Sequence, residues 1–268
     1  MTAASLNLDT ADLAQQYERI STERQYKAGQ RLIQDLEVRQ SDAVLDIGCG
    51  TGLLAEYIVG LVGSAGSVVG IDPLPLRIEI AKKRSRSNLN FRVGNVYDLS
   101  MFSADSFDIV CMNAVFHWFA DKREALRQTV RVLKKGGRLG ISTGAKGNPN
   151  PLHSVRARVL SRTPYNQYAA ASETVIYRVS TSELGTLLIT AGFQVSRLES
   201  RLSPRPQLTP EAALQFSEAS SFGNFLGHLP PELRRQARDD IKRELESTGE
   251  LASTVAERFQ IVAIAVKS

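Results

Sequence analysis

Between residues 43 and 143 the chain alternates short β-rich apolar runs with longer segments whose apolar residues recur at helical spacing. The runs are AVLDI (43–47), SVVGI (67–71), LNFRV (89–93), FDIVCM (107–112) and RLGIST (138–143). The first four are almost continuously apolar, the pattern of strands covered on both faces. GLLAEYIVGLV follows the first run, PLRIEIAKKRS follows the second, and DKREALRQTVRVL precedes the fifth. The last of these is expected to stop at KKGG, where lysines meet the negative end of the helix dipole and glycine ends the turn. Strands alternating with helices in this way predict βαβ units and a parallel sheet.

Beyond residue 144 the pattern loosens. AKGNPNP reads as a turn-rich connector, LHSVRARVLS as a helix, and TSELGTLLITAGF as a capped helix closed by Gly192. Two further strands are expected at FQVSRLESRL (193–202) and FQIVAIAV (259–266), with mainly helical sequence over 203–258 between them. The first 35 residues also read as helix, with Leu13, Tyr17, Ile20, Leu32, Ile33 and Leu36 as candidate buried positions. The expectation is a single domain, 1–268, whose α/β core spans about 36–144, 181–202 and 259–268. Helical additions at 1–35, 145–180 and 203–258 would form a cap.

Composition narrows the choices without naming a function. The hydrophobic fraction of 43% over 268 residues is ample for a large core. No apolar run approaches the ~20 residues needed to cross a bilayer, and the N-terminus lacks a basic segment followed by an apolar one, so a cytoplasmic protein is expected. Cys49 and Cys111 are too few for a disulfide framework and lack metal-ligand spacing, so no metal site is expected. The net charge of +5 comes from arginines and lysines spread along the chain, with small clusters at 82–86, 156–162 and 201–206. Such scatter reads first as a solvated surface and second as a basic rim around an anionic small molecule.

The densest stretch is VLDIGCGTG (44–52), a strand running into Gly48, Gly50 and Gly52. Glycine at a strand-to-helix turn lets backbone approach a ligand closely. A dinucleotide fingerprint would place its third glycine where Leu53 stands, and a P-loop would end in GK[ST], which is absent. Asp72 ends the second run about twenty residues later, where a carboxylate can accept from ribose hydroxyls. Ligands of open α/β sheets bind beyond the carboxyl ends of the strands. Those ends carry Asp46 with the glycines, Asp72, Asn95 with Val96, and Asn113.

VLDIGCGTG, GID, VGNVYDL, FDIVCMNAVFHWF and LRQTVRVLKKGGRLGIS, in this order and spacing, resemble the class I S-adenosylmethionine-dependent methyltransferases over about residues 40–145. The resemblance implies a doubly wound, mostly parallel, seven-stranded Rossmann-like sheet of order 3-2-1-4-5-7-6, with FQIVAIAV as the antiparallel seventh strand. It implies S-adenosyl-L-methionine as cofactor. Asp46 and the backbone of Gly48, Cys49, Gly50 and Gly52 would surround its amino-acid end, with Cys49 a small filler. Asp72, followed by Pro73, would hold the ribose; Asn95 and Val96 would meet the adenine; Asn113 and Ala114 would pass beside the methionine portion. Asparagine at 95 departs from the aspartate common there. QYERISTERQYKAGQRL is more loosely similar to the cofactor-covering helix of trans-aconitate and juvenile-hormone-acid methyltransferases, with Tyr17 the candidate contact.

FHW followed by FADKREAL resembles a segment of those carboxyl methyltransferases, so Phe116, His117 and Trp118, with Phe119, are candidate pocket walls. Phe222 and Phe225 in ASSFGNFLGHLP are candidate pocket residues on a glycine-bearing segment. His117 reads first as a structural or pocket-shaping residue and second as the candidate general base. Arg156, Arg158 and Arg162 are candidate partners of an anionic substrate, against a solvated helix face. The expected function is methyl transfer to a small molecule, at an oxygen acceptor such as a carboxylate or hydroxyl. The alternatives are nitrogen or carbon acceptors, an RNA methyltransferase, which the absence of [DN]PP[YFW] after the fourth strand disfavours, and a non-catalytic cofactor-binding protein.

Overall fold

The computed structural model describes residues 5–21, 25–148, 150–171, 176–203, 208–253 and 259–268. Parts of the N-terminal helical reading (1–4, 22–24), of the connector (149), of the basic stretch at 201–206 (from 204) and of the helical stretch before the last strand (204–207, 254–258) lie outside the described residues.

Seven strands form one sheet: β1 Ala43–Ile47, β2 Ser67–Asp72, β3 Leu89–Val93, β4 Phe107–Asn113, β5 Leu133–Gly144, β6 Phe193–Leu202 and β7 Phe259–Lys267. Their order is β3-β2-β1-β4-β5-β7-β6. The first five run parallel, and β7 is antiparallel to both β5 and β6. This is the expected order with the expected reversed strand. The order changes direction beside β1, so the ends of β1 and β4 open a crevice at the topological switch point.

The chain divides into two compact units. One comprises Ser21–Gly147, Tyr177–Leu202 and Phe259–Ser268 and contains the sheet; the other comprises Met1–Ile20, Asn148–Ile176 and Ser203–Arg258. In the sheet unit, α2 (Lys27–Asp35), α3 (Leu53–Val62), α4 (Pro75–Lys82), α5 (Lys122–Val132) and α7 (Thr181–Thr190) accompany the strands. Alternation along the strands feeds two apolar layers. Leu45, Val110, Met112, Leu139 and Ile141 pack with α5 residues Ala125 and Leu126 and with Leu184 and Leu188 of α7. Val44, Ile109 and Cys111 pack with Leu32, Ile33 and Leu36 and with Leu54, Ala55 and Ile58 of α3. Helix α2, which the sequence pattern groups with the cap, therefore belongs to the sheet. Leu36 sits where Gly140 of β5 is bare, since a Cβ there would stand 2.6 Å from its Cδ1.

KKGG departs from its reading as a helix stop. Helix α5 ends at Val132, and Leu133 already pairs with Phe107 of β4, so KKGG runs through β5. The register then shifts between Phe107 and Ile109, and Gly136 takes a φ of 73°. Fully buried Leu133 explains the early switch, because its side chain joins the core layer from an extended backbone. Helix α7 begins with a capping box, in which Ser180 accepts from the Glu183 N–H and Glu183 accepts from the Ser180 N–H.

The other unit holds α1 (Ala11–Ser21, all but its last residue), α6 (Pro151–Leu160), α8 (Pro210–Ser220), α9 (Pro231–Thr248) and the short α10 (Glu250–Ser253). Its core is Leu152, Val155, Val159, Leu214, Phe225, Leu226 and Ile241 among others. Leu13, Tyr17 and Ile20 on α1 are half-buried. Arg158 pairs with Glu244 and Glu250, and Arg162 with Glu244. These exposed pairs contribute little each, so apolar burial carries this unit.

Leu36→Ala is expected to lower the unfolding free energy by about 2–4 kcal/mol, measured by urea denaturation, because it empties a filled site against glycine backbone. A change below about 1 kcal/mol would show that α2 is not integral to the sheet core.

Candidate functional site

The site begins where β1 ends. Gly48, Gly50 and Gly52 all have positive φ, at 74°, 55° and 87°. Two of them also need the missing Cβ. One at Gly48 would stand 2.4 Å from the Val115 side chain, and one at Gly52 would stand 2.7 Å from Phe91. The loop is held to the end of β2. Ile71 O accepts from the N–H groups of Gly48 (2.8 Å) and Cys49 (3.0 Å). The Asp72 carboxylate accepts from Gly50 N–H (3.0 Å) on one oxygen and from Leu74 N–H (3.0 Å) on the other.

Register then sets the polar floor. Asp46 is paired with Gly70 on one side and Cys111 on the other, so the three share a face. Asp46 is 1% exposed. Its Oδ1 accepts from the Cys111 thiol at 3.4 Å, and its Oδ2 is buried without a hydrogen-bond partner among the described residues. Burial pushes its carboxyl up to about 7, the Cys111 hydrogen bond opposes this, and neighbouring Asp72 adds to it. Two residues beyond Cys111 on the same face, Asn113 donates its Nδ2 to Gln25 O at 2.8 Å, and its Oδ1 is buried without a partner among the described residues. Ala114 follows with a φ of 56°, unusual outside glycine, pinned by its N–H to Ser142 O at 2.8 Å.

Other predicted residues fall in different settings. Cys49 is buried with its thiol held well above the ordinary range by desolvation, which makes it a filler against Gly70 and not a nucleophile. Pro73 is half-buried behind Asp72. Val96 is buried in the core, while Asn95 is exposed and its Oδ1 accepts from the Tyr97 N–H at 3.1 Å. His117 is half-buried in a 3-10 turn, Phe116–Trp118, with Nδ1 3.3 Å from Thr143 Oγ1. Trp118 is half-buried beside it, whereas Phe116 and Phe119 are buried and stack edge-on. Tyr17, Phe222 and Phe225 belong to the helical unit. The rings of Phe222 and Phe225 are buried there, with Arg156 5.2 Å from the Phe225 centroid.

Sequence reasoning missed the clamp on the His117 turn. Lys122 Nζ donates to Phe119 O at 2.7 Å and lies 5.2 Å from the Phe116 ring. Burial lowers its ammonium to about 8, with Glu183 opposing. On the other side, Tyr177 N–H donates to His117 O at 2.8 Å. A lysine at a helix start has no sequence signal that separates it from a solvated one.

The arrangement suits a small ligand with a cationic end and hydroxyl groups. Two buried oxygens await donors, a carboxylate stands at the next strand end, and bare backbone lies between. Residues 45–141 match the methyltransferase-domain family. The chain is 30% identical over 208 residues to the O-methyltransferase cnsE of Penicillium expansum, covering 74% of this chain and 69% of that protein. This chain belongs to the class I S-adenosylmethionine-dependent methyltransferases. Its fold is shared by a methyltransferase solved with the Haloferax volcanii activator Trm112, at a TM-score of 0.61, 18% identity and coverage of 96% and 97% of the two chains. It is shared also by geranyl diphosphate C-methyltransferase of Streptomyces coelicolor A3(2), at a TM-score of 0.54, 16% identity and coverage of 90% and 75%. That enzyme was solved with S-adenosyl-L-homocysteine. The methyltransferase described here uses S-adenosylmethionine, and its unpartnered Asp46 and Asn113 oxygens fit that cofactor's donors.

The raised Asp46 carboxyl carries a sign. The native state holds the extra proton between about pH 4 and 7, so this group's contribution to stability falls as pH rises through that window. Ligand-free methyltransferase should therefore lose thermal stability relative to its Asp46→Asn variant as pH rises from 4 to 8. A constant gap between the two across that range would contradict the buried, unpaired setting of Asp46.

Proposed function

We propose that the enzyme methylates a small molecule at an oxygen acceptor, a carboxylate or a hydroxyl, working in the cytoplasm as one methyltransferase domain of core and cap. The observation that carries the cofactor placement is the pair of unpartnered buried oxygens on Asp46 and Asn113, on one sheet face beside the glycine loop. In this reading Asp46 Oδ2 accepts from the ammonium of the cofactor's amino-acid end. The backbone of Gly48, Cys49, Gly50 and Gly52 lines the approach. Asp72, fixed by the Gly50 and Leu74 N–H groups, accepts from ribose hydroxyls. Val96 and Asn95 flank the adenine. Asn113 and Ala114 border the reactive end.

The bound cofactor supplies a sulfonium methyl open to in-line displacement, and the chain's own contribution is positioning and exclusion of water. An ionised carboxylate needs no base, whereas a hydroxyl acceptor gains from one. His117 can serve when Thr143 Oγ1 accepts from Nδ1–H, because the basic lone pair then lies on Nε2. The Lys122 and Tyr177 bonds hold the turn that carries the ring. The O-methyltransferase relative supports oxygen as acceptor, while the C-methyltransferase fold neighbour keeps carbon as the alternative. NAVF after β4, in place of [DN]PP[YFW], argues against exocyclic base amines.

Asp72→Asn should weaken S-adenosylhomocysteine binding by roughly 10- to 100-fold in isothermal titration, since one charged acceptor is replaced by a neutral amide. Unchanged affinity would remove Asp72 from the site. His117→Ala should lower kcat/KM for a phenol by about 10²-fold or more while leaving a carboxylate acceptor within a few-fold. Equal losses on both would assign His117 a structural role.

A further inference from the structure

We infer that Arg178 is a specificity-determining residue, binding an oxyanion on the acceptor that is separate from the atom receiving the methyl group. The inference rests on the methyltransferase reading above and adds the acceptor's chemical class.

Arg178 lies in the short segment between Tyr177 and the start of α7 at Thr181. Three backbone anchors fix this segment: Tyr177 N–H to His117 O, Lys146 N–H to Val179 O, and the Ser180 cap of α7. Val179 enters the core layer that contains Met112 and Ile141. Arg178 lies over Gly144 at the carboxyl end of β5, where its Nε is 3.8 Å from the site of a Cβ. Along β5, Gly140, Ser142 and Gly144 share a face, and Ser142 pairs with Asn113 in the sheet register. Arg178 is thus on the same sheet face as the unpartnered oxygens of Asn113 and Asp46. From strand spacing and rise, Gly144 is about 8 Å from Asn113 between Cα atoms.

The guanidinium is half-buried and has no acidic or carbonyl partner among the described residues. Its proton affinity is lowered by desolvation, with no carboxylate among the described residues to offset it. By contrast, Arg158 and Arg162, the sequence-level candidates for this role, are paired with Glu244. A partly desolvated arginine without a counter-ion is costly unless it meets one on binding, and a planar fork of donors matches a carboxylate or a phosphate. That anion is separate from the reacting group, since a bidentate guanidinium would draw charge from the attacking oxygens and weaken them as nucleophiles. An acceptor a few bonds long, with an oxyanion at one end and the methyl-accepting oxygen at the other, spans the distance from Arg178 to the Asn113 end of the crevice.

The test uses full-length enzyme saturated with S-adenosylhomocysteine. It is titrated with 4-hydroxybenzoate, glutarate and phenyl phosphate, and with the neutral 4-hydroxybenzamide and glutaramide. At least one anion is expected to bind about 10- to 100-fold more tightly than its neutral counterpart, with the carboxylates and the phosphate separating the two oxyanion types. Arg178→Gln should abolish the preference while S-adenosylhomocysteine affinity stays unchanged and thermal stability holds or rises, as removal of an uncompensated charge requires. Arg178→Lys should keep part of the preference and serves as the second variant if the glutamine protein does not fold. Absence of anion binding to the loaded wild-type enzyme, or a preference that persists in Arg178→Gln, overturns the inference. Failure of the wild-type enzyme to bind S-adenosylhomocysteine at all would instead overturn the cofactor placement.

Discussion

The end of β2 clips the glycine loop in place, and the site is assembled around that clip. Ile71 O takes two loop N–H groups, and Asp72 takes a third together with the N–H of its own following turn. Three residues at positive φ would otherwise sample many conformations, at an ordering cost of about 1–2 kcal/mol each. Tied down, the loop presents bare backbone to its neighbours, and Phe91 and Val115 close onto Gly52 and Gly48. β3 at Phe91 and the turn after β4 at Val115 are therefore located by one loop's lack of side chains.

The same clip brings two acids close together away from water. Asp46 responds by holding its proton to about pH 7, because burial and Asp72 both disfavour a second negative charge. Across the sheet face, the Arg178 guanidinium stands over β5 with no acid beside it among the described residues. One face thus carries unpartnered acceptors over β1 and β4 and an uncompensated cation over β5. Under the proposed reading, this polarity sorts the two ligands, the cationic donor to the acids and the anionic end of the acceptor to the arginine. The apolar layers beneath give each side a rigid backing.

Much of this was legible along the chain. β1, β3 and β6 coincide with their apolar runs, and the sheet order is the one the family resemblance implies. Leu32, Ile33 and Leu36 are buried as their spacing suggested, while Leu13, Tyr17 and Ile20 are only half-buried. KKGG misled because a helix-stop composition also suits the first residues of a strand, and buried Leu133 decided between them. The arginines in RARVLSR looked available because a sequence shows charges without their partners. Arg178 and Lys122 drew no notice for the same reason.

The sequence by itself determined the alternation of strands and helices, the left-handed loop and the acid at the next strand end, because local sterics and periodicity are written into consecutive residues. Tertiary structure decided which polar atoms go unpartnered. Asp46 Oδ2, Asn113 Oδ1 and the Arg178 guanidinium differ from other acids, amides and arginines only in what surrounds them. Desolvation and pairing depend on groups brought together from distant parts of the chain, and no local pattern encodes those distances.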